Sequence, residues 1–124
     1  MIEGLRTVMY HVSDLQKAKT WYAELLGFNP YFDEPFYVGF NVGGYELGLN
    51  PDVSKITPGG STFAYWGVKD VRVAYQRLLE LGAKQHEEIQ DVGGGILVAT
   101  LTDPWGNIFG LIENPHFSLE SGKE

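Results

Sequence analysis

The chain contains no cysteine. A disulfide framework, a thiolate metal centre and a cysteine nucleophile are therefore all excluded. It also lacks any apolar run approaching the roughly 20 residues that a membrane-spanning helix requires, so no membrane partner is expected. Basic residues are scarce, nine Lys and Arg against sixteen Asp and Glu, for a formal charge of −7. They are scattered rather than gathered into a stripe, which argues against nucleic acid as a partner. The opening Met1-Ile2-Glu3-Gly4-Leu5-Arg6 has no signal-peptide pattern, and the expectation is a cytoplasmic protein. The usual phosphate cradle is missing too. Gly93-Gly94-Gly95 has neither the lysine nor the following helix of a P-loop and reads as a hairpin or mobile loop. No Gly-x-Ser-x-Gly nucleophile elbow occurs.

What is present suffices for a packed core. A hydrophobic content of 44% over 124 residues fits one domain, or two small modules packed together. The sixteen glycines predict many turns and close backbone approaches.

The organising signal is an internal repeat. Val12-Ser13-Asp14 is echoed by Val68-Lys69-Asp70, and Leu26-Gly27 by Leu81-Gly82. In the first half, 5–12 reads as a strand. Ser13 or Asp14 caps a helix over 15–26, whose apolar residues fall at helical spacing and which Gly27 stops. Strands follow at 29–32, 37–42 and 45–50, the last two joined by the hairpin signal Gly43-Gly44. The polar stretch 51–60 reads as a linker. The second half starts over: a strand at 62–68, Asp70 as cap, a helix over 71–81, then strands at 84–90, 95–101 and 107–113. The predicted organisation is one domain over 1–114, with modules at 5–50 and 61–114, and a polar tail at 115–124 that Phe117 pins. Each module is strand-helix-strand-strand-strand, an α+β fold.

This layout, with Val12-Ser13-Asp14-Leu15, Trp21-Tyr22 and Leu25-Leu26-Gly27-Phe28 early and Asp103-Pro104-Trp105-Gly106-Asn107 late, resembles the vicinal oxygen chelate superfamily. That family includes glyoxalase I, the extradiol dioxygenases, and the bleomycin and fosfomycin resistance proteins. The resemblance implies paired βαβββ modules whose eight strands curl into an incomplete barrel around a cleft. It also implies a homodimer. In metal-bearing members the cleft holds a divalent ion, a Lewis acid for a carbonyl, enolate or diol. One ligand typically comes from the first and one from the fourth strand of each module.

Carried over by position, those ligands fall on residues that cannot bind a metal together. Five residues before Val12 and Val68 stand Thr7 and Phe63. Seven after Asp103 stands Gly110, and its counterpart in the first module is Gly48. Glycine has no side chain and Phe no donor, so no metal and no cofactor are expected. Glu113 lies an odd step from Gly110 and faces away from the cleft. Glu46 keeps the face of Gly48 about 6.6 Å away, and His11 keeps that of Thr7 about 13 Å along. A displaced divalent-metal site using His11 and Glu46 is the alternative, with His86 and His116 at the surface.

Counting by twos places Thr7, Met9, His11, Glu46, Gly48, Asn50, Phe63, Tyr65, Gly67, Ile108, Gly110 and Ile112 on the cleft face, with Trp105 at its rim. The glycines would widen the space. This apolar, partly aromatic lining suits a small organic molecule. The leading expectation is a metal-independent protein that binds a small apolar or aromatic ligand. The alternatives are a glyoxalase-like lyase or isomerase, or a dioxygenase, with a displaced metal or Glu46 as general base, and a structural or regulatory subunit.

Overall fold

The computed structural model describes residues 1, 3, 5–54 and 63–117. The expected linker from residue 55 onward, the start of the expected strand at 62–68 and the tail beyond Phe117 lie outside them. The chain divides into two compact units, Met1–Pro58 and Gly59–Glu124.

The first module runs β1 (Thr7–His11), α1 (Leu15–Leu26), β2 (Phe32–Glu34), β3 (Tyr37–Val42) and β4 (Tyr45–Asn50). Its sheet has the order β1-β4-β3-β2, with β1 parallel to β4 and the other pairs antiparallel. The helix begins where the carboxylate of Asp14 accepts the Lys17 amide and ends at Gly27, which takes the left-handed conformation at φ 86°. Its inward stripe, Leu15, Ala18 and Tyr22, packs with Tyr10, Val12, Val38, Phe40, Leu47 and Leu49, all buried. Each such side chain contributes on the order of 1.5–3 kcal/mol by leaving water. The Gly43-Gly44 turn has φ of 62° and 93°, the mirror-image geometry that closes a two-residue hairpin.

The second module repeats this plan: β5 (Tyr65–Gly67), α2 (Val71–Glu80), β6 (Lys84–Asp91), β7 (Leu97–Thr102) and β8 (Ile108–Glu113). The order is β5-β8-β7-β6, again with one parallel pair. Asp70 caps α2 by accepting the Arg72 and Val73 amides. Glu113 adds a second acceptor, its Oε1 taking the Val71 amide at 2.9 Å, so it faces the helix as its odd step from Gly110 requires. Val71, Leu78, Ala99, Leu101, Phe109 and Leu111 form the buried layer, and Trp66 stacks on Phe109 at 5.6 Å.

Four expectations shift. The strand expected at 29–32 forms at Phe32–Glu34 instead. Pro30 has no amide to pair, and pairing begins only where Phe32 meets Gly39. Within the described part of 62–68 only Tyr65–Gly67 is strand, matching the three ladder positions that β8 offers. The strand expected from Gly95 starts at Leu97, because Gly93, Gly94 and Gly95 all have positive φ and form the turn of the β6–β7 hairpin. Phe117 is 68% exposed, so it does not pin the tail by burial; His116 instead donates from Nε2 to the Gly94 carbonyl at 2.7 Å.

The turn from Asp103 to Gly106 owes its shape to one carboxylate. Asp103, 3% exposed, accepts the Trp105 amide at 2.9 Å, the Asn107 amide at 2.8 Å and the Asn107 side-chain amide at 3.0 Å. The Asp103→Ala variant strands these donors and is expected to lose about 2–3 kcal/mol. Thermal unfolding checks this, and an unchanged midpoint would show that the turn holds without its carboxylate.

Candidate functional site

Each sheet has two faces, and its helix takes one. In the first module Tyr10 and Val12 point to the helix, so Thr7, Met9 and His11 point away from it. The β1–β4 register places Thr7 opposite Glu46, Met9 opposite Gly48 and His11 opposite Asn50. The β3–β4 register adds Gly39, opposite Gly48, and Asn41, opposite Glu46, and by the same alternation Tyr37. In the second module the equivalent face carries Tyr65 and Gly67 beside Gly110 and Ile112, with Thr100 opposite Gly110 and Ile108 opposite Thr102. Cleft-face residues expected by alternation thus share one face within each module.

Both glycines at the family's ligand places are covered by a tyrosine ring. A Cβ on Gly48 would strike the Tyr37 hydroxyl and lie 2.6 Å from Tyr37 Cζ. A Cβ on Gly110 would lie 2.6 Å from the Ala64 carbonyl oxygen and 2.8 Å from Tyr65 Cδ1. The expectation that these glycines widen the space is corrected at both positions: they are small so that a ring, and at Gly110 also a neighbouring backbone, can lie against the strand. Of the three glycines on the expected cleft face, Gly67 alone has nothing within 4 Å of its Cβ position.

Tyr37 and its neighbour Tyr31 engage the one carboxylate expected on the first module's face. Tyr37 donates to Glu46 Oε2 at 2.5 Å, and Tyr31 donates to Glu46 Oε1. The bond to Glu46 and then desolvation raise the Tyr31 phenol above its ordinary range; for Tyr37 burial comes first and the Glu46 bond second. Both hydroxyls therefore keep their protons and act as donors.

His11 does not join Glu46. Its register partner is Asn50, four residues along β4 from Glu46, and its Nδ1 donates to the Asp52 carbonyl at 3.0 Å. Asn50 meets Met9 Sδ and accepts the Asp52 amide. His86 and His116 are exposed, as expected, but the His86 ring shares a 2.9 Å hydrogen bond with the hydroxyl of buried Thr100. Among the described residues, no group of three or more His, Asp or Glu side chains could hold an ion. The residues standing at the family's ligand places do not fit a divalent metal. Thr7 offers one hydroxyl, Phe63 none, and the two glycines are closed off by rings.

The second module has a pocket of about 430 Å³. Tyr65, Gly67 and Ile112 line it together with Val68, Lys69, Asn114 and Phe117. Phe63 stands beside it, its ring edge-on to Tyr65 at 5.2 Å. Ile108 and Trp105 belong to the other end of β8, so Trp105 does not rim this pocket.

Sequence reasoning missed Tyr31, Tyr37, Lys69, Asn114 and the His86–Thr100 pair. Tyr37 was within reach, since alternation through the Gly43-Gly44 hairpin puts it on the face of Gly48. Tyr31 precedes its strand and carried no such signal.

The Gly48→Ala variant is expected to cost about 1–3 kcal/mol through overpacking, and the Tyr37→Ala background should relieve that cost. Gly110→Ala should not be rescued by Tyr65→Ala, because the Ala64 carbonyl remains. Denaturant unfolding of the two double-mutant cycles tests both; additivity of the Gly48–Tyr37 pair would show that the Tyr37 ring does not set that position, and rescue of Gly110→Ala by Tyr65→Ala would show that the Ala64 carbonyl does not set the other. The raised phenols give a second expectation. The fold favours their neutral form, so their stabilisation is present below pH 10 and lost as pH rises through their higher folded values. An ultraviolet titration should show Tyr31 and Tyr37 ionising late, with Glu46→Gln bringing both earlier; a Glu46→Gln curve identical to that of the native chain would contradict the Tyr–Glu–Tyr contact.

Comparison with known proteins agrees with this fold. The chain resembles a solved superfamily member from Sphaerobacter thermophilus at 27% identity and TM-score 0.74, over 91% of this chain and 98% of that one. The fosfomycin resistance protein FosX from Listeria monocytogenes superposes with TM-score 0.77 at 19% identity, over 97% and 98%. A lactoylglutathione lyase from Agrobacterium tumefaciens does so with TM-score 0.74 at 19% identity, over 95% and 100%. No curated protein matches. The sequence profile of one family matches residues 4–111, and the chain belongs to the Glyoxalase/Bleomycin resistance protein/Dioxygenase superfamily.

Proposed function

We propose that this protein binds a small organic molecule without a metal, on the sheet faces that correspond, by resemblance, to those where metal-bearing members of the family hold an ion. The observation that carries this reading is the pair of tyrosine rings lying across Gly48 and Gly110. A side chain able to bind a cation cannot be accommodated at either place without displacing a ring. The rings supply apolar surface instead, and the 430 Å³ pocket beside Tyr65 and Ile112 is of a size that takes a one- or two-ring compound. Lys69 and Asn114 at its edge provide the few polar contacts that orient such a guest.

Catalysis by Glu46 as a general base is the competing reading. Each of its oxygens accepts one phenol proton, so two donors fix the carboxylate and one lone pair is left on each oxygen. A carboxylate oriented in this way supports the binding reading, with Glu46 as a fixed polar contact for a guest.

The test is a titration of isotope-labelled protein with 2-naphthol, followed by amide NMR. Shifts are expected at Tyr65, Gly67 and Ile112, unchanged by EDTA, and Ile112→Trp should abolish them by filling the pocket. Binding that disappears on chelation and returns with Zn²⁺ or Mn²⁺ would overturn the proposal.

A further inference from the structure

The ring cluster around Glu46 points to a ligand class. Tyr31, Phe32, Phe36 and Tyr37 stand together at the β2–β3 end of the first module. Phe32 lies 6.1 Å from Phe36 and 6.2 Å from Tyr37, at interplanar angles of 67° and 59°. At such angles the edge of one ring leans toward its neighbour's face, and neither pair is stacked. Tyr31 and Phe36 are each 65% exposed, so much of their ring surface is open to a ligand. Tyr31 and Tyr37 converge on the Glu46 carboxylate, and Glu34 stands opposite Tyr37 in the ladder, on the same face.

The charge there is uncompensated. The phenols that grip Glu46 are neutral donors, so they orient the carboxylate and leave its negative charge in place. Among the described residues no Lys or Arg pairs with Glu34 or Glu46: Arg6 is bound to Glu3, and Lys19 to Asp33. Ring faces carry negative potential, as the carboxylate does. A neutral apolar guest would gain from the rings alone, and an anion would be repelled by both. An alkylammonium gains from each.

We propose that Tyr31, Phe32, Phe36, Tyr37 and Glu46 form a binding site for an organic cation of the alkylammonium class. The ring faces receive its N-methyl or N-methylene groups, and Glu46, held by the two phenols, supplies the counter-charge. This site rests on the reading that the face away from the helix is the ligand-bearing one, and it identifies the chemistry that the first module selects.

Choline and its neutral carbon isostere, 3,3-dimethylbutan-1-ol, have nearly the same shape and differ in charge. Titrations of the intact protein followed by amide NMR should give choline shifts at Tyr31, Phe36 and Glu46. The isostere should bind at least about tenfold more weakly, the discrimination expected of cation–π and ionic contacts. Glu46→Gln and Phe36→Ala should each weaken choline binding several-fold while leaving the 2-naphthol shifts at Tyr65 and Ile112 intact. Phe36 is exposed, so its removal spares the core and guards against loss of fold. Equal binding of choline and the isostere, no choline binding, or choline shifts that Ile112→Trp abolishes would overturn this site. None of those results touches the metal-independent reading, which is tested separately by whether 2-naphthol binding depends on an ion.

Discussion

The close approach of a tyrosine ring to a bare glycine backbone is the contact on which the rest of this structure turns. It occurs once in each module, Tyr37 across Gly48 and Tyr65 across Gly110, on the second-last and first strands respectively. At both places even a methyl group would meet atoms nearer than van der Waals contact allows. A ring packed against a strand is stabilised by the area it covers, and a glycine leaves it room to approach the backbone. The two glycines stand where the resemblance puts metal ligands, so the packing contacts and the proposed metal independence meet at the same two residues.

What surrounds those contacts follows from the ordinary division of labour in a helix-backed sheet. Tyr10, Val12, Leu47, Leu49, Val38 and Phe40 hold the first module to its helix, and Leu101, Phe109 and Leu111 hold the second. Stability is thus concentrated on one face. The opposite face is free to carry polar and aromatic groups whose identity the core does not dictate, such as Glu46 and Tyr31. The signature Asp103 belongs to the stabilising side of this division: its carboxylate shapes a turn by accepting three hydrogen bonds from Trp105 and Asn107.

Much of this was legible in the sequence because it rests on local rules. The helix over Leu15–Leu26, the strands Tyr37–Val42 and Tyr45–Asn50, the Asp14 and Asp70 caps and the Gly43-Gly44 hairpin follow from periodicity, capping and turn chemistry. Alternation also put Glu113 on the helix side, where it caps α2. The misreadings share a cause. A glycine on a strand says only that a side chain is missing, and whether the gap stays open depends on what a distant residue does with it. Gly48 and Gly110 were read as widening a space that Tyr37 and Tyr65 in fact fill. Likewise Tyr31, outside any strand, reaches Glu46 through a bend that no period encodes. The pocket at the C-terminal end of β8 draws in Lys69, Asn114 and Phe117, which lie beyond strand ends where alternation has nothing to say.

The account stands or falls on whether these faces reject a divalent ion. Plasma mass spectrometry of tag-free protein, expressed with added Zn²⁺, Ni²⁺, Mn²⁺ and Fe²⁺ and purified without chelator, measures this directly. The account predicts only a small fraction of an ion per chain, with no one metal preferred. One tightly held ion per chain, lost together with its ligands when Glu46 or His11 is replaced, would contradict it.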